Sequence, residues 1–449
     1  MRKKKKIQDF DFIYALAKVY VGRCFFRHYY QRIYVEGLQN IPKDKRVILA
    51  PNHQNALMDA LAVLMTQKGQ PVFLARADIF KNRRVAWILE GLNILPIYRM
   101  RDGRDELGKN NEIFEKAIDV LRDKVTLCLM PEGMQSFKRA LLPLVKGMFR
   151  IAFSAQEEFE PNEVVIVPVG IEYDDYIRSG GNLGLRFGKP ISIADYMSIY
   201  RENQAVAINC LRQDISDGIS ALIQNIQSKT YYEDFYSLSL MAQDAVCTKE
   251  KNKSRLFSLL ESRRKISMTL DAEEQKNPVT VQQLCSKHTD YQKKLTALRL
   301  KDYVFGHPQK TVWTLTKGLL LLLTFPLFVA GWVANFIPSF FPSLIANRLI
   351  NDHFKSSFNI VLRVIMYSLY YILAITALSI IFKSFLIVIL SCLTSLLLSR
   401  FVFYYRLGVK DVFYRIRLLL KKITKSKEVF ALLQQRKEIV DVVIGMIKG

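Results

Sequence analysis

Val47-Ile48-Leu49-Ala50-Pro51-Asn52-His53-Gln54-Asn55-Ala56-Leu57-Met58-Asp59-Ala60 is the stretch on which the reading of this chain turns. The apolar run Val47 to Ala50 predicts a buried strand, and the polar residues behind it predict a turn that exposes His53. Asn55 is placed as the N-cap of a following helix, with Asp59 in its first turn or so. A histidine at the carboxyl end of a strand stands where open α/β sheets usually place their sites. The pair suits general-base chemistry: an imidazole near neutral pKa takes a proton from a hydroxyl, while a carboxylate holds its tautomer and stabilises its cation. Alone, the same pair also describes a structural histidine capping a helix, so the residues downstream decide.

Three further blocks follow at a regular pace. Gly91-Leu92-Asn93-Ile94-Leu95-Pro96-Ile97-Tyr98-Arg99 puts an arginine at the end of a short apolar strand, where its planar fork of donors suits a phosphate. Val125 to Met130 is a second buried strand that empties into Pro131-Glu132-Gly133-Met134-Gln135-Ser136, and a Glu-Gly turn can present backbone N–H groups to an anion. A third apolar strand, Val164 to Val167, leads into Pro168-Val169-Gly170-Ile171-Glu172-Tyr173, with Pro168 placed as a pocket wall. Cys128 sits among apolar neighbours and reads as a strand residue, not a nucleophile.

Over roughly residues 40–200, these blocks resemble, in order and spacing, the PlsC-like glycerolipid acyltransferase family, which acylates glycerol-3-phosphate and lysophosphatidic acid. The family's motifs are Asn-His with four residues before Asp, a glycine leading to an apolar pair and Arg, Phe-Pro-Glu-Gly-Thr-Arg-Ser, and an apolar-Pro segment. Two departures stand out. Five residues separate His53 from Asp59 instead of four, and Met134-Gln135 replaces Thr-Arg. The lost cation weakens the expected phosphate clamp, with Lys138, Arg139 and Lys146 close behind as substitutes.

The resemblance implies an α/β acyltransferase sheet with flanking helices and a reaction with no metal, no cofactor and no covalent enzyme intermediate. His53 is implied as the general base and Asp59 as the group that orients it. Asn52, Arg99, Glu132, Gly133, Ser136, Lys146 and Pro168 are implied as the substrate-binding set, with Glu132 in a positioning role. The implied partners are acyl-CoA or acyl carrier protein as donor and a glycerophosphate or lyso-lipid as acceptor, with 1-acyl-glycerol-3-phosphate first and glycerol-3-phosphate as the alternative. A degenerate acyltransferase that binds lipid as a membrane scaffold is the competing class.

Composition points to a membrane setting. Lys and Arg total 65 against 41 Asp and Glu, a formal +24, which suits nucleic acid or an anionic lipid surface. The apolar runs favour the lipid: Gly318 to Ile337 is uncharged and long enough to cross the roughly 30 Å hydrocarbon core, Val364 to Phe382 is a second run, and Ser384 to Ser399 a shorter third behind Lys383. No recognised nucleic-acid motif accompanies the charge. Arg400, Arg406, Lys410, Arg415, Arg417, Lys421, Lys422, Lys425 and Lys427 follow the runs, so the positive-inside tendency predicts a multi-pass protein with this tail and the catalytic domain on the cytoplasmic face, and an even number of crossings. Arg2 to Lys6 precede Phe10 to Tyr20, read as an interfacial helix, because Asp9, Asp11, Lys18 and Arg23 interrupt any signal-peptide core. Six scattered cysteines without paired spacing fit free thiols in a reducing compartment.

The domain plan is therefore a basic interfacial helix over 1–40, a catalytic domain over 41–197, a helical module over 198–305, transmembrane helices over 306–405 and a basic cytoplasmic tail over 406–449. The module is predicted from the helical spacing of Ile208, Leu211, Ile215, Ile219, Leu222 and Ile226. Its bases, Lys249, Lys251, Lys253, Arg255, Arg263, Arg264 and Lys265, face either membrane phosphates or solvent.

Overall fold

In the computed structural model, residues 6–98, 108, 110–159, 161, 163–177, 179–247, 255–306 and 310–448 are described. Arg99, Arg2 to Lys5, Lys249, Lys251 and Lys253 lie outside them. The chain divides into two compact units, residues 1–223 with 350–360, and residues 224–349 with 361–449.

The first unit is built on a mixed sheet of eight strands in the order β1-β7-β6-β2-β5-β3-β4, with β8 beside β6. These are β1 (Arg32–Glu36), β2 (Arg46–Pro51), β3 (Val72–Arg76), β4 (Ile94–Ile97), β5 (Leu127–Leu129), β6 (Val164–Tyr173), β7 (Asn182–Phe187) and β8 (Ile191–Ser192). β2, β5, β3 and β4 run parallel, as does β6 against β2, whereas β7 and β8 are antiparallel to β6. Three of the apolar runs become the central strands β2, β5 and β6, as their unbroken hydrophobicity requires when both faces are covered, and the fourth, Ile94 to Ile97, forms the edge strand β4. Ile48 and Leu49 are fully buried, Ile48 toward the helices Asn110–Arg122, Gly147–Glu158 and Gln204–Ser220, and Leu49 on the opposite face with Met58, Tyr30 and Tyr173. Each such side chain contributes about 1.5–3 kcal/mol, an upper bound because unfolded chains already bury some surface.

β6 runs straight through Pro168, beyond the strand expected to end at Val167. Its β8 partners are Val165 and Ile166 and its β7 partners begin at Val169, so the proline, with no N–H to donate, falls in the gap between the two pairings.

Three boundaries differ from the sequence plan. Residues 32–36, inside the segment read as an interfacial helix, form strand β1, because alternating side chains pair in register with β7. The helix ahead of it, Phe12–Tyr20, is capped by the Asp11 carboxylate on the Tyr14 N–H at 2.9 Å and leaves Phe12, Ile13, Leu16 and Val19 exposed. The helix Gln204–Ser220, read as the start of a separate module, buries Leu211, Ile215 and Ile219 in the core of the first unit.

In the second unit, the basic segment read as a tail is also structured. A single helix runs from Phe385 to Thr424 through the expected boundary at 405, since no proline follows Pro342 and nothing stops it. It is followed by the helix Ser426–Lys448, whose Val429, Leu432, Ile439 and Val443 join Phe235, Leu238, Ile266 and Tyr291 in one core. Arg436 seals this packing with an ion pair to Asp302 at 2.8 Å.

Among the described residues, two helices are long and apolar enough to cross a membrane, Phe354–Phe382 and Phe385–Thr424. They are separated at Lys383, which adopts φ 49°, and they form a hairpin: Tyr371 meets Ser395 at 3.1 Å and Tyr367 meets Ser399 at 3.4 Å, one partner stepping back four residues as the other steps forward. The run Gly318 to Ile337 is not one straight span. It breaks at Thr324, between Thr311–Leu323 and Phe325–Ala334, with a bend of 53°; Pro326 in the first turn of the second helix cannot donate back to the first.

Candidate active site

His53 lies two residues past the end of β2, in the turn before the helix Ala56–Thr66. Its Nδ1 is 2.9 Å from Asp59 Oδ2, and its side chain keeps 18% of its surface exposed while that of Asp59 is fully buried. An ionised carboxylate only accepts, so Nδ1 carries the proton and the Nε2 lone pair is the basic one. Asp59 is held from four directions. Its Oδ2 also accepts the backbone N–H groups of Gln54 at 2.8 Å and Asn55 at 2.7 Å, and its Oδ1 accepts the Tyr173 hydroxyl at 2.6 Å.

The extra residue between His53 and Asp59 is absorbed at Ala56, which takes φ 43° in the left-handed region that favours glycine. Asn55 occupies the N-cap position, yet its side chain makes no bond to the helix it caps. The amide instead donates to the Tyr176 carbonyl at 2.9 Å.

Glu132 ties this turn to the next loop. Its Oε1 accepts the His53 N–H at 2.6 Å and its Oε2 the Leu142 N–H at 2.8 Å. Burial pushes its carboxyl up to about 7, against the pull of those two amides. Gly133 turns the chain behind it at φ 64°, where an added Cβ would lie 3.2 Å from Val145 Cγ1. The Ser136 N–H donates to the His53 carbonyl at 3.3 Å, so the Glu-Gly loop flanks the histidine on its backbone side.

The remaining members of the expected set divide. Asn52 is buried and knits β2 to β6, donating to the Ile171 carbonyl at 3.1 Å and accepting its N–H at 2.6 Å. Pro168 is not brought to His53: it faces Gly218 of the helix Gln204–Ser220, on the far side of the sheet. Lys146 is exposed ahead of the helix Gly147–Glu158. Arg139 is turned inward; its guanidinium donates to the Tyr173 carbonyl and lies over the Tyr176 ring, 5.2 Å from the centroid. Of the three nearby cations, Lys138 and Lys146 are the ones at the surface. Cys128 is fully buried, and burial pushes its thiol far up, which suits a core residue.

Tyr173 was not anticipated at the site. Burial, followed by the Asp59 charge, raises its hydroxyl well above the ordinary value, so it stays protonated and donates. The signal was present in the strand period: counting by two from Val165 places Val169, Ile171 and Tyr173 on the His53 face and Pro168 on the other. Tyr176 was missed as well; its hydroxyl donates to Gln54 Oε1 at 2.7 Å, and Gln54 donates to the Lys138 carbonyl at 3.1 Å.

A second histidine cluster lies in the other unit, where His288 stands 2.7 Å from Asp234 and 2.9 Å from Ser237 Oγ. Ser237 is inside the helix Tyr232–Val246, where its own N–H and that of Leu238 are spent on helix bonds, and Gln292 also donates to its Oγ at 3.1 Å. The cluster is a buried polar tie between two helices.

Residues 32–172 match the family model described as Acyltransferase. Human 1-acyl-sn-glycerol-3-phosphate acyltransferase alpha is 26% identical over 146 residues, 32% of this chain and 47% of that protein. Glycerol-3-phosphate O-acyltransferase 2 of Saccharomyces cerevisiae is 25% identical over 117 residues, 26% of this chain and 16% of that protein. The chain thus spans less than half the length of these curated relatives. A solved structure, the 1-acyl-sn-glycerophosphate (LPA) acyltransferase PlsC from Thermotoga maritima, aligns at 23% identity over 46% of this chain and 79% of its own, with a TM-score of 0.33.

Proposed function

From a PlsC-like glycerolipid acyltransferase domain over residues 32–172, we propose that this chain transfers a fatty acyl group from acyl-CoA or acyl carrier protein to the free hydroxyl of 1-acyl-glycerol-3-phosphate at a membrane. The observation that carries the reading is the His53 to Asp59 contact at 2.9 Å, at the carboxyl end of a central strand. His53 Nε2 takes the acceptor's hydroxyl proton as the oxygen attacks the thioester carbonyl carbon. The C–O bond forms, the C–S bond breaks, and the proton passes from the imidazolium to the departing thiolate. Asp59 keeps the imidazole in the reactive tautomer and stabilises its cation, and Tyr173 in turn fixes Asp59.

In this reading Glu132 and Gly133 position the loop that faces the acceptor, Asn52 and Ser136 fix its frame, and Lys146 and Arg99 attract the phosphate. Pro168 supports the sheet from its far side. The two apolar helices hold the protein in the bilayer as a multi-pass protein, with the catalytic unit and the basic segments at the anionic cytoplasmic surface.

The test is acyl transfer by detergent-purified protein from labelled acyl-CoA and acyl carrier protein to lysophosphatidic acid and to glycerol-3-phosphate, beside His53→Ala. Transfer to lysophosphatidic acid that vanishes in the variant supports the reading. Transfer to glycerol-3-phosphate alone favours the second reading, to which the yeast relative's name points. No transfer with lipid binding intact assigns the chain to a scaffold role.

A further inference from the structure

The helix Ala56–Thr66 begins with N–H groups that have no partner inside the helix, and the N-cap side chain does not supply one. The partner comes from some 300 residues further along the chain. The Leu57 N–H donates to Ser357 Oγ at 3.2 Å, and the neighbouring Ser356 hydroxyl donates to Asn55 Oδ1. Both serines are almost fully buried, at 1% and 6% exposure, and Ile360 one turn on is packed in the same apolar cluster as Met58, Leu49 and Tyr173. Residues 350–360 accordingly belong to the first unit, although the helix they open, Asp352–Phe382, continues as an apolar, membrane-length segment. They lie outside the part of the chain that matches the acyltransferase family.

The two serines hold the residues on either side of Ala56, the strained position that absorbs the extra residue in the His53-to-Asp59 turn. Asn55 is therefore gripped at both ends: its N–H by Asp59 Oδ2 at 2.7 Å and its side chain by Ser356. A shift of Asn55 moves the oxygen that orients His53. A left-handed alanine persists only where its surroundings over-determine it, and here the docked helix provides that constraint.

We infer that Ser356 and Ser357 are positioning residues for His53 and Asp59, so that the first turns of a membrane-length helix complete the site. The inference rests on the acyltransferase reading above. It also gives the longer turn a reason: with one residue more than the family's spacing, the turn needs a clamp from outside the family-matched domain.

The experiment uses the full chain in detergent or nanodiscs, with Ser356→Ala, Ser357→Ala and the double variant. Expected for the double variant is a fall in kcat of about 10–100-fold with KM for donor and acceptor within about threefold, since both hydroxyls are buried and spent on the turn. The acid limb of the kcat–pH profile moves to lower pH, because a loosened Asp59 stabilises the imidazolium less. Hydroxyl-retaining Ser357→Thr keeps activity, and Ala56→Gly added to the double variant recovers part of the loss, since glycine adopts the left-handed φ without strain. Hydrogen exchange at the Leu57 amide, which needs no turnover, accelerates at least tenfold in Ser357→Ala. Faster exchange with unchanged kcat and pH profile overturns the positioning role, and unchanged exchange overturns the contact. If the wild-type chain transfers no acyl group, the reaction reading falls and the positioning role with it, while the exchange result still decides whether the helix clamps the turn.

Discussion

Asp59→Asn is the sharpest perturbation of the site, because it keeps the shape and removes the charge. The carboxylate accepts three donors on Oδ2, at 2.9, 2.8 and 2.7 Å, and a fourth on Oδ1 at 2.6 Å. With the amide oxygen in the Oδ2 place, three bonds lose their ionic partner. A hydrogen bond to a charged group contributes about 1.5–3 kcal/mol and a neutral one about 0.5–1.5, so the loss is about 1 kcal/mol each and about 3 kcal/mol in stability. The amide NH₂ then faces Tyr173, whose buried hydroxyl must turn its proton elsewhere. For the reaction, the His53 cation loses its anionic neighbour and its fixed tautomer. The corresponding change in a serine-protease triad lowers kcat by about 10⁴-fold, and here a fall of about 10³–10⁴ is expected, or about 4–5.5 kcal/mol on the barrier. Labelled acyl transfer by the purified variant at several pH values measures the rate, and urea unfolding measures the stability. Tyr173→Phe, which leaves all three Oδ2 bonds in place, is expected to lose about tenfold or less. If Asp59→Asn stays within about tenfold of wild type, Asp59 is not the group that supports His53, and the mechanism fails.

Three further outcomes follow from the geometry. The Glu132 carboxyl titrates at about 7 in the folded protein against an ordinary 4.5, so between these values the folded state holds a proton that the unfolded chain lacks. Stability therefore falls as pH rises through that window, by at most about 3 kcal/mol, and is retained below it; urea unfolding at pH 5 and pH 7.5 measures the slope, and a Glu132→Gln variant with the same slope would show that another group is responsible. Arg139→Ala strands the Tyr173 carbonyl and is expected to cost about 2–4 kcal/mol while leaving KM for a phosphorylated acceptor within about twofold, whereas Lys146→Ala raises that KM without affecting stability. A raised KM in the arginine variant at unchanged stability would return Arg139 to the phosphate clamp. Gly133→Ala introduces a Cβ at φ 64° and 3.2 Å from Val145, for an expected cost of about 1–2 kcal/mol by chemical denaturation; a neutral result would mean that the loop relaxes freely.

Local patterning alone specifies the α/β core and the place of His53. Unbroken apolar runs ending in polar turns admit few alternatives, and burying Val47 to Ala50 on both faces forces the histidine out at the strand's end. It also marked the membrane-length segments Val364 to Phe382 and Ser384 to Ser399 by their unbroken apolar composition, but not the bend at Thr324 inside the equally apolar run Gly318 to Ile337. What it left to the tertiary structure were the contacts between residues far apart in the chain. Five residues between His53 and Asp59 do not put both on one helix face, so the contact depended on the backbone at Ala56, which local propensity disfavours and only surrounding bonds enforce. Arg139 reads as a surface cation until the Tyr173 carbonyl, 34 residues on, is seen to claim it. Tyr173 was within reach of a strand-period count, but the basic segment after Ser399 was not: its charges suggest a solvated tail, and only packing against Phe235 and Tyr291 reveals a buried face. Ser356 and Ser357 carried no local signal at all, because a hydroxyl that caps a helix 300 residues earlier is specified by the fold of the chain around it and not by its neighbours in sequence.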